Sequence, residues 1–242
     1  VGILNLAAIE ANFRELQTAF PEINQSLFEP RDPLDDDVVG NLLAGYALVD
    51  RLLHENIDIF AMGNLHYWLK LNATVLCGVD AIVMARHTRL VTATETRFYN
   101  QPDGGIRDIM DWYARNAGKS VWRRAAGTFI RILSEPQLFI EGNHRTGALI
   151  MSYLLAREGR PPFVVTGKNA QAFFNPASVF KKANKRNLSM RLKMPGLTSA
   201  FADYLQQQAS RKYLGAKGSL RPAPVEEQDE EQDLPGRDKS CL

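Results

Sequence analysis

Two apolar helix patterns joined by a short polar loop constrain this chain more than any other feature. Between 119 and 133, Trp122, Ala125, Ala126, Phe129, Ile130 and Leu133 recur at i, i+3, i+4, i+7, i+8 and i+11, while Arg123, Arg124, Thr128 and Arg131 fall elsewhere on the wheel. A loop from Ser134 to Asn143 follows. Then come Ala148, Leu149, Ile150, Met151, Tyr153, Leu154 and Leu155, ended by Gly159, Pro161 and Pro162. A helix that is apolar on nearly every side has no face to give to water, so this second one is expected to be buried.

The rest of the chain reads as helices arranged about this pair. Leu6, Ile9, Phe13, Leu16 and Phe20 step by three and four, and Pro21 is expected to stop that helix. Residues 21–37 are turn-rich, and Asp35, Asp36 and Asp37 suit a loop feeding a helix N-terminus. Leu42, Tyr46, Val49 and Leu53 mark one amphipathic helix; Leu65, Trp68, Leu69, Asn72 and Leu76 mark another. Residues 86–106 break the period. Their β-branched and aromatic residues, next to the Asp103-Gly104 turn, predict a short β-hairpin or an ordered loop. Short helices broken at Pro176 are expected over 169–190, and Leu197, Phe201, Tyr204 and Leu205 mark a last helix. Residues 226–233 hold six acids and no base, which predicts a disordered tail. The expected organisation is an N-terminal helix and acidic loop over 1–37, an all-α domain over 38–214 and the tail over 215–242. No β/α alternation is present, so a Rossmann or P-loop sheet is not expected.

Composition narrows function by exclusion. The formal charge is +2, from 29 Lys and Arg against 27 Asp and Glu, which gives no basis for a dedicated nucleic-acid or membrane binder. No run of roughly 18 apolar residues occurs. The chain opens on Val1 without a basic-then-apolar leader, so no signal peptide is expected. Cys77 and Cys241 are too far apart for a metal motif or a disulfide framework, and a reducing, cytoplasmic compartment is the expectation. His54, His66 and His87 form no zinc pattern. Neither GxGxxG nor GxxxxGK[ST] occurs, so a phosphate would need another cradle.

The loop between the two helices offers one. It reads Gln137-Leu-Phe-Ile-Glu-Gly-Asn-His-Arg-Thr-Gly147. Asn143 suits an N-cap and Gly142 a tight backbone. The helix after it begins with free N–H groups and the positive end of its dipole, which is a ready anion site. Arg145 lies in that first turn, where acids are the local preference. A cation there makes sense if an anion joins it, and Glu141 could hold a divalent metal bridging that anion. The plain alternative is a capped interhelical turn in which Arg145 pairs with Glu141.

This loop resembles the signature of the Fic (Fido) family, HxFx[DE]GNGRxxR. The resemblance implies an all-helical Fic-like bundle whose signature joins two central helices. It also implies a transferase that moves AMP, or another phosphate-bearing group, onto hydroxyl side chains of target proteins, with Mg²⁺ and ATP or another nucleotide as cofactors. Phe139 matches the packing Phe and Glu141 the metal-binding acid. Gly142, Asn143 and Arg145, with Thr146 and Gly147 beside them, match the phosphate-binding turn. The resemblance covers residues 40–205, but only the loop is specific.

The departures bear on activity. The catalytic His of the family, which deprotonates the target hydroxyl, is here Gln137. An amide takes no proton near neutral pH, and general-base help is worth about 10²–10⁴-fold. The middle Gly is His144 and the final Arg is Ala148. A bulky residue at the His144 position is similar to the Doc branch, whose members carry Lys there, lack the final Arg and phosphorylate their targets. His144 is thus a candidate substitute base or a residue that reorients the nucleotide. Residues 95–106 are the candidate for the family's target-aligning hairpin flap. Glu55-Asn56 resembles the end of its autoinhibitory helix [ST]xxxE[GN], with Arg51 in place of Ser or Thr. Two expectations follow. One is a nucleotide- or phosphate-binding protein with lost or altered transfer activity. The other is a protein-interaction scaffold on the same fold, meeting a partner through the flap or the basic stretch of Lys181, Lys182, Lys185, Arg186, Arg191 and Lys193.

Overall fold

The computed structural model describes residues 2–216 and contains ten α-helices there. Helix α7 (Val121–Leu133) and helix α8 (Asn143–Arg157) form the central pair. Ser120 caps α7, its hydroxyl accepting from the Arg123 N–H, and the apolar stripe read from the sequence is buried. In α8 every residue from Thr146 to Ala156 is buried, as its all-round apolar sequence requires. One close approach sets the pair and another seats a neighbouring helix against it. Gly147 of α8 meets the Phe129 ring of α7, where a Cβ would lie 2.9 Å from the ring edge. Gly127 of α7 lets the Trp112 indole of α6 (Ile106–Arg115) rest on the backbone.

Other helices close over this pair. Helix α2 (Asp36–His54) and α3 (His66–Cys77) pack on α8 and on each other, and α9 (Ala170–Lys182) and α10 (Leu188–Gln207) cover α7. Helix α1 (Leu6–Gln25) lies along α2 and buries Ile9, Phe13, Leu16 and Phe20 in the same core, so α1 adds a layer to the main body. Acids open α2 as expected: Asp35 accepts from the Val38 N–H at 2.8 Å, and Asp36 pairs with Arg14 at 2.8 Å. Of the polar groups that enter the core, the Thr94 and Thr128 hydroxyls have no hydrogen-bond partner, while others are paired. The Tyr46 and Ser152 hydroxyls both donate to the Phe163 carbonyl, at 2.6 and 2.8 Å, and the Trp68 indole donates to the Ile59 carbonyl at 2.9 Å.

The two ends of the described chain meet. The N–H groups of Ile3 and Leu4 donate to one Asp50 oxygen, each at 2.7 Å. Leu4 bridges Leu214, and the Gly215 N–H donates to the Ile3 carbonyl at 2.8 Å.

Three expectations need correction. The predicted hairpin over 95–106 is absent: α5 (Thr88–Asn100), which follows α4 (Ala81–Arg86), runs through its first half, residues 101–105 turn into α6, and no strand occurs among the described residues. Thr94 and Phe98, one turn apart, bury a helical face; the Thr96 hydroxyl donates to the Thr92 carbonyl, while the buried Thr94 hydroxyl has no hydrogen-bond partner. The Asp103-Gly104 turn links α5 to α6. Pro21 and Pro176 do not end their helices: α1 continues to Gln25 and α9 runs unbroken to Lys182. An interior proline costs about 3 kcal/mol, but each lies beside buried aromatics, Phe20 and Phe173, whose packing carries the helix through. The acidic tail lies outside the described residues. No helix among those described is long and apolar enough to cross a membrane.

Candidate functional site

The loop between α7 and α8 is held from three sides. Gly142 adopts a left-handed conformation, φ +74°, which turns the chain into α8. A Cβ there would fall 2.9 Å from the Asn72 amide nitrogen of α3. That amide donates to the Glu141 carbonyl at 2.9 Å and to the Thr146 hydroxyl at 3.0 Å, tying the loop and the helix start to α3. Asn143 pins the loop to itself: its oxygen accepts from the Phe139 N–H at 2.9 Å and its amide donates to the Phe139 carbonyl at 2.8 Å. On the third side, Arg97 of α5 donates from Nε and Nη2 to the Gln137 carbonyl, at 3.1 and 2.8 Å, and Phe98 stacks on Phe139 with centroids 5.7 Å apart. The segment expected as a flap therefore does touch the loop, as a helix.

The N-cap of α8 is Gly142, not Asn143, and it has no side chain to offer. The first bond of the helix runs from the Thr146 N–H to the Gly142 carbonyl at 2.9 Å. The N–H groups of Asn143, His144 and Arg145 precede it and have no carbonyl one turn back. This uncapped turn forms one wall of a cavity of about 300 Å³. Phe13 and Leu16 of α1, Leu42 and Tyr46 of α2, and Phe173 and Phe174 of α9 give it an apolar side. Arg31, Arg145 and Lys181 bring positive charge to it, against the single acid Asp32.

Each cation is placed by a contact behind it. Arg145 spends one of its five N–H donors on the Val75 carbonyl at 2.8 Å. Burial pulls its pKa down, while Asp32 and Glu141 pull the other way. Arg31 bonds the Phe174 carbonyl at 3.1 Å and the Ser178 hydroxyl at 2.5 Å, and lies 5.5 Å from the Phe174 ring centroid. Its Nε is buried with no hydrogen-bond partner. Lys181 is exposed at the rim. His144 lines the same cavity, and its Nε2 is buried with no partner. Burial first, then Arg31 and Lys181, push its pKa down to about 3, so it is neutral at pH 7.

The structure separates the sequence candidates. Gly142, Asn143, His144 and Arg145 reach the cavity. Thr146 and Gly147 do not: the first is taken by Asn72 and the second by Phe129. Gln137 sits behind Asn143, whose amide is 3.3 Å from its side-chain oxygen. Glu141 is exposed beside Arg145, and no group of three metal-ligating side chains occurs among the described residues. Glu55 is exposed at the C-terminal end of α2, about 13 Å of helix beyond Tyr46, and does not line the cavity. The basic stretch 181–193 is not one surface. Lys181 faces the cavity, Lys182 pairs with Glu29 at 2.5 Å, Lys185 turns inward to the Arg131 carbonyl and Arg186 bonds the Asp103 carbonyl.

Sequence reasoning missed Arg31, Asn72 and Arg97. Asn72 carried a signal, a polar residue on an otherwise apolar helical stripe. Arg31 carried none, because a loop residue gains its role only from the helices that happen to flank it.

The chain matches no family model, no curated protein and no solved structure.

Proposed function

We propose that this chain is a Fic-like nucleotide- or phosphate-binding protein whose ligand lies in the cavity at the start of α8. The observation that carries this reading is the meeting of an uncapped helix N-terminus with three cations on one side of a cavity whose other side is apolar. A phosphate chain finds N–H donors and positive charge there, and an aromatic base finds Phe13, Phe173 and Phe174. Glu141, exposed beside Arg145 and outside the cavity lining, is the carboxylate this reading gives to Mg²⁺, which uses one or two carboxylates and takes its remaining ligands from phosphate and water. The metal would neutralise charge on the bound phosphate.

Transfer chemistry, an adenylyl or phosphoryl group passed to a protein hydroxyl, is weakened in this reading. Gln137 stands where a general base is needed and cannot take a proton. His144 is the remaining candidate, and bound phosphate would offset the cations that now disfavour its protonated form. A non-catalytic scaffold is the second reading. It is favoured by Gln137 and by a helix, not a strand edge, at the place expected to align a target.

The test is thermal stability of the purified protein with Mg²⁺ and millimolar ATP, GTP, CTP, UTP or CDP-choline, beside the Lys181→Ala variant. A ligand well above its Kd raises the melting temperature by linkage. One compound is expected to raise it, and by less in the variant. A shift equal in both proteins would place binding elsewhere. No shift with any compound would leave the scaffold reading.

A further inference from the structure

A second cavity, of about 640 Å³, opens on the far side of α7, between the start of α6 and the segment from Lys185 to Met194. Arg131 of α7 and Lys185 line it. Both are largely covered, and among the described residues neither has an ion-pair partner. The Arg131 guanidinium lies 3.9 Å from the Trp112 ring centroid, with one face covered by the indole, and Nη1 donates to the Gly127 carbonyl at 3.1 Å. Lys185 donates from Nζ to the Arg131 carbonyl at 2.7 Å, which places its ammonium beside the arginine's own helix. Its backbone is fixed as well, the Lys185 N–H donating to the Glu135 carbonyl at 2.9 Å. Two cations thus line one concave, partly dry site, each bonded to a backbone carbonyl, and neither is ion-paired with the carboxylates of Asp103, Asp108 and Asp111 that also line it. Water is partly displaced from them, and no carboxylate comes within ion-pairing distance to replace it.

Their surroundings describe what would. Asp108 is occupied by the Gly104 N–H, and Asp103 and Asp111 lie exposed at the edge with Arg115 and Arg186. A polyanion would meet those edge carboxylates. A compact anion that passes them would find the planar fork of Arg131, already immobilised on Trp112, and a lysine lining the same cavity.

We propose that this cavity binds a small molecule through one oxyanion group, a phosphate or a carboxylate, seated between Arg131 and Lys185. The same contacts link binding to a proton. Burial, with Arg131 and Arg97 against Asp108 and Glu135, pushes the Lys185 pKa down to about 7. An anion at the ammonium raises it again, so above pH 7 binding takes up a proton and weakens as pH rises.

The test is a titration of the full chain with sodium sulfate, standing for phosphate, and with succinate, both of constant charge from pH 6.5 to 8.5. It is followed through the indole N–H resonance of Trp112, assigned by Trp112→Phe. The expected result is saturable movement of that resonance by one of the two anions, about tenfold tighter at pH 6.5 than at 8.5. The responding anion tells a tetrahedral group from a planar one. Lys185→Met should abolish the pH dependence and weaken binding at pH 6.5, whereas Lys181→Ala, at the other cavity, should change neither. A Trp112 resonance unmoved by either anion overturns the proposal. So does movement that is independent of pH or equal in Lys185→Met. The readout is taken on the wild-type protein, so a variant that fails to fold does not decide it.

Discussion

His144 shows how far a residue's chemistry can be from its sequence setting. In the loop string it is a surface-like residue between Asn143 and Arg145. In the fold its Nε2 is buried, Arg31 from before α2 and Lys181 from α9 add positive charge across the cavity, and burial first and those charges second bring its pKa down to about 3 against an ordinary 6.5. Between those values an unfolded chain binds a proton that the folded one refuses. The contribution to stability is therefore complete above pH 6.5 and is lost as pH falls toward 3. Thermal melts at pH 7.5 and pH 5 should show the wild-type protein losing more stability than His144→Asn on acidification. Equal losses would mean that the imidazole is protonated in the native state. The residue types at this site were readable in advance, since Gly142 and Arg145 both reach the cavity. Their division of labour was not, because Asn143 and Thr146 look like ligand donors until Phe139 and Asn72 are seen to occupy them.

At the scale of elements, α7 and α8 were legible because their patterns are pure: one has a clean stripe and the other has no polar face. The segment 88–100 was not. Its run of threonines looks like a strand by residue type, while the spacing of Thr94 and Phe98 belongs to a helix, and spacing won because burial of Phe98 against Phe139 needs it. Pro21 and Pro176 failed as helix stops for a related reason, since propensity yields to a well-packed face. The α7–α8 crossing makes the corresponding prediction. Alanine favours helix over glycine by about 1 kcal/mol, so Gly147→Ala would stabilise an isolated α8. Here the added Cβ meets Phe129, which is fully buried and packed against Phe173 and Phe201, and the clash costs about 1–3 kcal/mol. Denaturant unfolding should show a net loss. A net gain would mean that the two helices move apart freely.

At the scale of the molecule, nine of the ten helices among the described residues contribute to one core, α4 giving it no residue, and the residues that close it are at the extremes of the described chain. Asp50 is the fastener: one oxygen holds the N–H groups of Ile3 and Leu4. Asp50→Ala leaves two amides without that acceptor and should cost about 1–3 kcal/mol, or roughly 2–12 °C in Tm for a chain this size. Asp50→Asn, which keeps an acceptor oxygen, should cost less; equal losses in the two would mean that charge and not the shared oxygen matters. Nothing in the helical periodicity announced this closure, because it depends on single backbone groups far apart in sequence. Its consequence is topological. With Leu4 bridged to Leu214, the fold is in effect a ring of helices with one removable link. A short linker spanning residues 3 and 215, with new ends cut at the exposed Val79 between α3 and α4, would leave each helix uninterrupted and sever the chain at no residue that lines either cavity, so the order in which the helices are synthesised is separable from the shape that they reach.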